Sequence, residues 1–72
     1  MKRGLIQSDL IASMGYDPVW KVLEIEFRQT REIYDYFDVP LAEYADFLGA
    51  ESKGTYLNTV FKARNYRFER VE

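Results

Sequence analysis

The 72-residue chain is predicted to form one small α+β domain over residues 1–72. It should contain a three-stranded antiparallel meander, two helices packed on one face and a short closing strand, in the order β-β-β-α-α-β. Three observations lead there. Apolar and charged residues alternate in the first half of the chain. After Pro40 the apolar spacing changes to three and four, and alternation returns in the last residues.

Taken in order, Leu10, Ala12, Met14 and Tyr16 share one parity and mark the first strand. "YDPV" at 16–19 follows as a turn, since proline presets φ and aspartate favours the opening position. From Trp20 to Arg28, Leu23, Ile25 and Phe27 alternate with Glu24, Glu26 and Arg28, which reads as a strand with one wet face. Gln29-Thr30 breaks the pattern, and residues 31–37, "REIYDYF", form the third strand. If Gln29-Thr30 is a two-residue turn, Phe27 opposes Glu32, Ile25 opposes Tyr34 and Leu23 opposes Tyr36. Opposed residues share a face. Tyr34 and Tyr36 are therefore expected on the covered side as core aromatics, with Ile33 and Asp35 outside beside Glu24 and Glu26; the other reading, in which the two tyrosines stack on bases, requires a one-residue slip that reverses the faces.

Pro40 suits the first position of a helix. Leu41, Tyr44, Ala45 and Leu48 recur at helical spacing, and Gly49 fits the stop. A second helix is expected from Lys53 to Ala63, with Ser52 as N-cap and Tyr56, Leu57, Val60 and Phe61 as its apolar stripe. Tyr66 to Val71 alternates again and supplies the closing strand.

A chain this short buries only about 60% of its unfolded surface, so the twelve aromatic residues must carry much of the core. Cysteine is absent, which excludes disulfides, thiolate nucleophiles and cysteine-based zinc sites. Histidine is absent too, removing the commonest general base near neutral pH. Carboxylate pairs such as Asp35/Asp38 and Glu43/Asp46 read as solvated surface charge. No enzymatic activity, metal or cofactor is expected. The apolar stretch after Met1-Lys2-Arg3 is cut short by Gln7-Ser8-Asp9, well under the roughly 7–15 residues of a signal peptide. No window approaches a membrane span. A cytoplasmic protein with no membrane partner is expected.

The net charge of −2 is unevenly placed: residues 1–52 carry −5 and residues 53–72 carry +3. Within the basic end, Ser52-Lys53-Gly54 opens the second helix. Unpaired N–H groups, the helix dipole, a lysine and a glycine together suit a phosphate. The other reading is that Ser52 caps the helix, Lys53 is solvated and Gly54 leaves room for packing. Both readings stand on the sequence alone. The candidate phosphate-binding residues are Ser52, Lys53, Gly54 and Asn58, joined by Arg64, Arg67 and Arg70 if the tail folds back towards the helix start.

"SMGYDP" at 13–18, "IYDYFDVP" at 33–40, "ESKGTYLN" at 51–58 and "NYRF" at 65–68 together resemble the KTSC domain. This module is found at the C-terminus of some lysyl-tRNA synthetases and as a free-standing bacterial protein. Its tyrosine-x-tyrosine motif corresponds to Tyr34-Asp35-Tyr36. The resemblance spans nearly the whole chain, departing at Gln29-Thr30, where the family usually has a glycine. Through the synthetase link it implies RNA binding. A binding module for RNA or another phosphate-bearing ligand is thus the leading expectation. A protein-interaction module, using the open sheet face or an edge strand, is the alternative.

Overall fold

The computed structural model describes residues 1–71. Five strands form one antiparallel sheet in consecutive order: β1 (Gly4–Leu5), β2 (Ile11–Asp17), β3 (Val22–Phe27), β4 (Ile33–Tyr36) and β5 (Phe68–Arg70). The α+β class is as expected, but the sheet is larger than a three-stranded meander. The closing strand extends it beside β4, and β1 adds an edge at the other side. Two residues are too few to display alternation, which is why β1 leaves no pattern in the sequence.

Turn chemistry fixes the hairpins. Asp17 Oδ1 accepts from the N–H groups of Val19 at 2.9 Å and Trp20 at 3.2 Å, closing the β2–β3 turn. The β3–β4 connection is wider than the expected two-residue turn. Arg31 N–H donates to the Phe27 carbonyl at 2.9 Å, and Arg31 itself sits in the left-handed region at φ 63°. Phe27 N–H still reaches the Glu32 carbonyl, so the register survives: Leu23 opposes Tyr36 and Ile25 opposes Tyr34. The expected faces follow from it.

Helix α1 (Leu41–Gly49) begins one residue later than expected, with Pro40 as its N-cap. Its buried face also differs. Leu41 and Leu48 are exposed, whereas Glu43 and Phe47 are buried and Tyr44 is half-buried. The Phe47 ring offers more area to bury than either leucine, and Glu43 finds three hydrogen-bond donors inside. Together they rotate the helix away from its aliphatic stripe.

Ser52 caps α2 (Lys53–Tyr56), accepting from Thr55 N–H at 3.2 Å. The helical run continues as a π turn over Leu57–Phe61 and a 3₁₀ turn over Lys62–Arg64, rather than as one regular helix to Ala63. Asn65 ends it in the left-handed conformation, φ 57°. Leu57 and Phe61 are buried as expected. With Ile11, Met14, Leu23, Ile25, Val39 and Phe47 they form the core between the helices and one sheet face.

Candidate functional site

Two recesses lie on the helical side of the sheet, and each is built by a different part of the pattern. The first opens at the start of α2. Ser52, Lys53, Gly54 and Asn58 line it together, with Ser8 and Arg28 across from them, in a volume of about 780 Å³. Lys53 Nζ donates to the Ala50 carbonyl at 2.8 Å, which holds the ammonium beside the helix start and leaves it further donors. Arg28 was not foreseen as part of this wall. Its guanidinium donates to the carbonyls of Ser8 (2.7 Å) and Ile6 (2.8 Å), pinning the segment that leads into β2. Asp9 and Glu51 also reach the recess, so its charge is mixed.

Gly54 has no structural reason to be glycine here. Its φ is not positive, and a Cβ would meet Leu10 Cβ at 3.6 Å, an ordinary contact. The expectation that glycine makes room for packing is therefore not met. A bare backbone in a helix costs up to about 1 kcal/mol relative to alanine.

The three tail arginines do not join this recess. Arg64 Nε donates to buried Glu43 Oε1 at 2.9 Å. Arg67 lies 4.5 Å above the centre of the Phe37 ring. Arg70 pairs with Glu32 at 3.1 Å. Each is drawn to a nearby acceptor or ring, and none lines the pocket at Lys53. Glu43 collects Arg64 with the hydroxyls of Tyr56 and Tyr66. Burial alone would raise its pKa, but the bonds from Tyr56, Tyr66 and Arg64 together hold it below the usual range. Burial, then the bond to Glu43, pushes Tyr66 up to about 12. This cluster ties α1 to the end of the helical run.

The second recess is an aromatic cleft of about 680 Å³ between the sheet and the end of the helical run. Phe27, Tyr34, Tyr36, Phe61, Tyr66 and Phe68 line it. Their rings pack at centroid distances of 5.6 Å for Phe27–Tyr34 and Tyr34–Phe68 and 4.9 Å for Tyr36–Phe61. Burial is the main reason Tyr36 is pushed up to about 12. Tyr34 remains half-buried and Phe68 is 55% exposed, so the cleft leaves ring surface uncovered. Lys62 and Asn65 stand at one side and Gln29 and Thr30 at the other. The alternation of Tyr66 and Phe68 signalled a strand, but only its pairing with β4 brings Phe68 against Tyr36. Leu10 lines both recesses and marks where they adjoin.

Among the described residues, no group of three or more Asp, Glu, His or Cys side chains could hold a metal ion. No helix is long and apolar enough to cross a membrane.

Comparison with known proteins gives a consistent result. A family model described as the KTSC domain matches residues 7–66. An uncharacterised protein of Stutzerimonas stutzeri is 40% identical over 72 residues, covering all of both chains. A protein of Tsukamurella paurometabola is 36% identical over 59 residues, covering 82% of this chain and 87% of its own. A crystal structure of a KTSC domain protein from Yersinia pestis superposes with a TM-score of 0.91 at 34% identity, covering 99% of this chain and 97% of that one.

Proposed function

This chain belongs to the KTSC domain family, and from that premise we propose that it is a non-enzymatic binding module for RNA or another phosphate-bearing ligand. The observation that carries the reading is the junction of the two recesses at Leu10. One offers aromatic ring surface, as single-stranded nucleic-acid sites do for unstacked bases. The other offers Lys53 and the uncovered backbone at Gly54, suited to a phosphate. A nucleotide has both parts, joined by a short sugar. The proposed contacts are Ser52, Lys53, Gly54 and Asn58 for phosphate and the Tyr34–Phe68 side of the cleft for a base. Arg64, Arg67 and Arg70, being engaged elsewhere, are left out of the proposed site.

An NMR titration with a short single-stranded oligoribonucleotide tests this. The amides of Lys53 and Gly54 and the ring signals of Phe68 should shift together and saturate together. Lys53→Glu should abolish the amide shifts while leaving the fold intact, since a negative charge is favoured in a first turn. Shifts confined to the outer sheet face would contradict the proposal.

A second reading is favoured by β5. All three of its residues are exposed and it forms the sheet edge, so a partner protein's strand could add to it.

A further inference from the structure

Glu43 stands in the first turn of α1, where its backbone N–H donates to the Pro40 carbonyl at 3.0 Å. Val39, just before the cap, is fully buried, and its carbonyl accepts the Tyr16 hydroxyl. Tyr16 in turn stacks on Tyr44 at a centroid distance of 4.8 Å. The carboxylate therefore projects from a firmly seated part of the helix. Its two oxygens serve different partners. Oε2 accepts the Tyr56 hydroxyl, while Oε1 accepts Arg64 Nε and the Tyr66 hydroxyl, each at 2.9 Å. The terminal torsion of a glutamate is ordinarily broad. Bonds on both oxygens fix it here.

The two tyrosines differ in what their rings do. Tyr56 packs on Phe47 at 4.9 Å and lines neither recess. Tyr66 packs on Phe61 at 5.2 Å and forms part of the wall of the aromatic cleft beside Asn65. Tyr66 also sits in the short link between the helical run and β5. Asn65 ends the run at φ 57°, and the Arg67 carbonyl accepts Phe37 N–H at 2.8 Å as the β4–β5 pairing begins. The Tyr66 side chain is half-buried, so the hydroxyl bond gives it a second fixed point besides Phe61. A side chain held at one point can leave for another staggered well.

We propose that Glu43 is a positioning residue for the aromatic cleft, taken as the base site proposed above: through the Tyr66 hydroxyl it holds that ring in the pose a base meets. The gain is preorganisation, because a wall side chain that must be ordered on binding lowers affinity. The pair with Arg64 serves the same end, binding Oε1 and tying down the residue two before Tyr66. Arg64 thus supports the cleft from behind without touching the ligand.

Removing single hydroxyls separates positioning from general support. Tyr56→Phe and Tyr66→Phe each delete one bond to the same carboxylate, and urea denaturation should find both variants destabilised. Affinity for a short single-stranded oligoribonucleotide should fall roughly two- to tenfold in Tyr66→Phe, the factor for ordering one side chain. In Tyr56→Phe it should keep the parental value. The salt dependence should be the same in all three proteins, since no phosphate contact changes. In the free proteins, NMR couplings across χ1 should report one rotamer at position 66 in the parent and in Tyr56→Phe, and averaging in Tyr66→Phe. In a Glu43→Leu background, Tyr66→Phe should weaken binding no further; the hydroxyl variants decide alone if that background does not fold. A parent that bound no oligoribonucleotide would refute the base site, and the χ1 couplings alone would then decide whether Glu43 orders the ring. Unchanged affinity in Tyr66→Phe, equal losses in both hydroxyl variants, or a single rotamer at position 66 in Tyr66→Phe would overturn the proposal.

Discussion

Glu43 is the residue whose role the sequence hid most completely. Read along the chain it is one of twelve acidic residues, placed on what looked like the wet side of a helix. Its three donors come from Tyr56, Arg64 and Tyr66, at least thirteen positions away. No local pattern reports such a contact. By contrast, the inward placement of Tyr34 and Tyr36 was legible, because strand parity and turn position alone set it. Glu43→Ala should cost about 1.5–3 kcal/mol, the range for a lost hydrogen bond to a charged group, as measured by urea denaturation. The pH dependence has a definite sign. A carboxylate whose folded pKa is lowered stabilises above its unfolded value, and that contribution fades as pH falls through the folded pKa. Glu43→Gln should therefore be compared with the parent at pH 7 and near pH 3. The difference in stability should shrink at the acid end. A difference that stayed constant would show the carboxylate's charge to be irrelevant.

At the scale of elements, strands and caps were legible where short-range chemistry decides them. Asp17 closes its turn and Ser52 caps α2 as their residue types dictate. The orientation of α1 was not legible, because a periodic set of leucines and alanine lost to one phenylalanine and a satisfied glutamate on the neighbouring face. Whether the tail arginines fold back towards Lys53 was not legible either, and they do not line its recess. Each of them meets a partner brought near by the β4–β5 pairing or by α1. The start of α2 gives a sharp prediction. Since a methyl group fits beside Leu10, Gly54→Ala should raise stability by up to about 1 kcal/mol through helix propensity. The same methyl covers the backbone, so oligoribonucleotide binding should weaken. Thermal melts and a binding titration on one variant separate the two effects. A destabilised Gly54→Ala would return the glycine to a packing role.

For the whole molecule, one sheet divides two chemistries. The face towards the helices holds the aliphatic core and, at one end, the aromatic cleft, while the other face carries Glu24, Glu26, Asp35 and Glu69. The α+β class followed from periodicity, but β1 is too short to show any alternation, and the pairing of β5 with β4 joins distant segments, which periodicity does not encode. The same limit applies to the candidate site. Ser52, Lys53, Gly54 and Asn58 are near in sequence and do share a recess, whereas the cleft is assembled from β3, β4, β5 and the helical run. The division also predicts where a polyanion can dock, since four carboxylates on the outer face repel phosphate. Its affinity should carry the mark of few phosphate contacts and much ring contact. The most direct measurement is the affinity for a short single-stranded oligoribonucleotide as a function of salt, in the parent and in Lys53→Glu. Each phosphate contact on a single strand contributes a slope of about −0.7 to log affinity against log salt. The account predicts a shallow negative slope of about one to two contacts, reduced by about 0.7 in Lys53→Glu. An affinity unchanged by salt, or the same slope in both proteins, would contradict it.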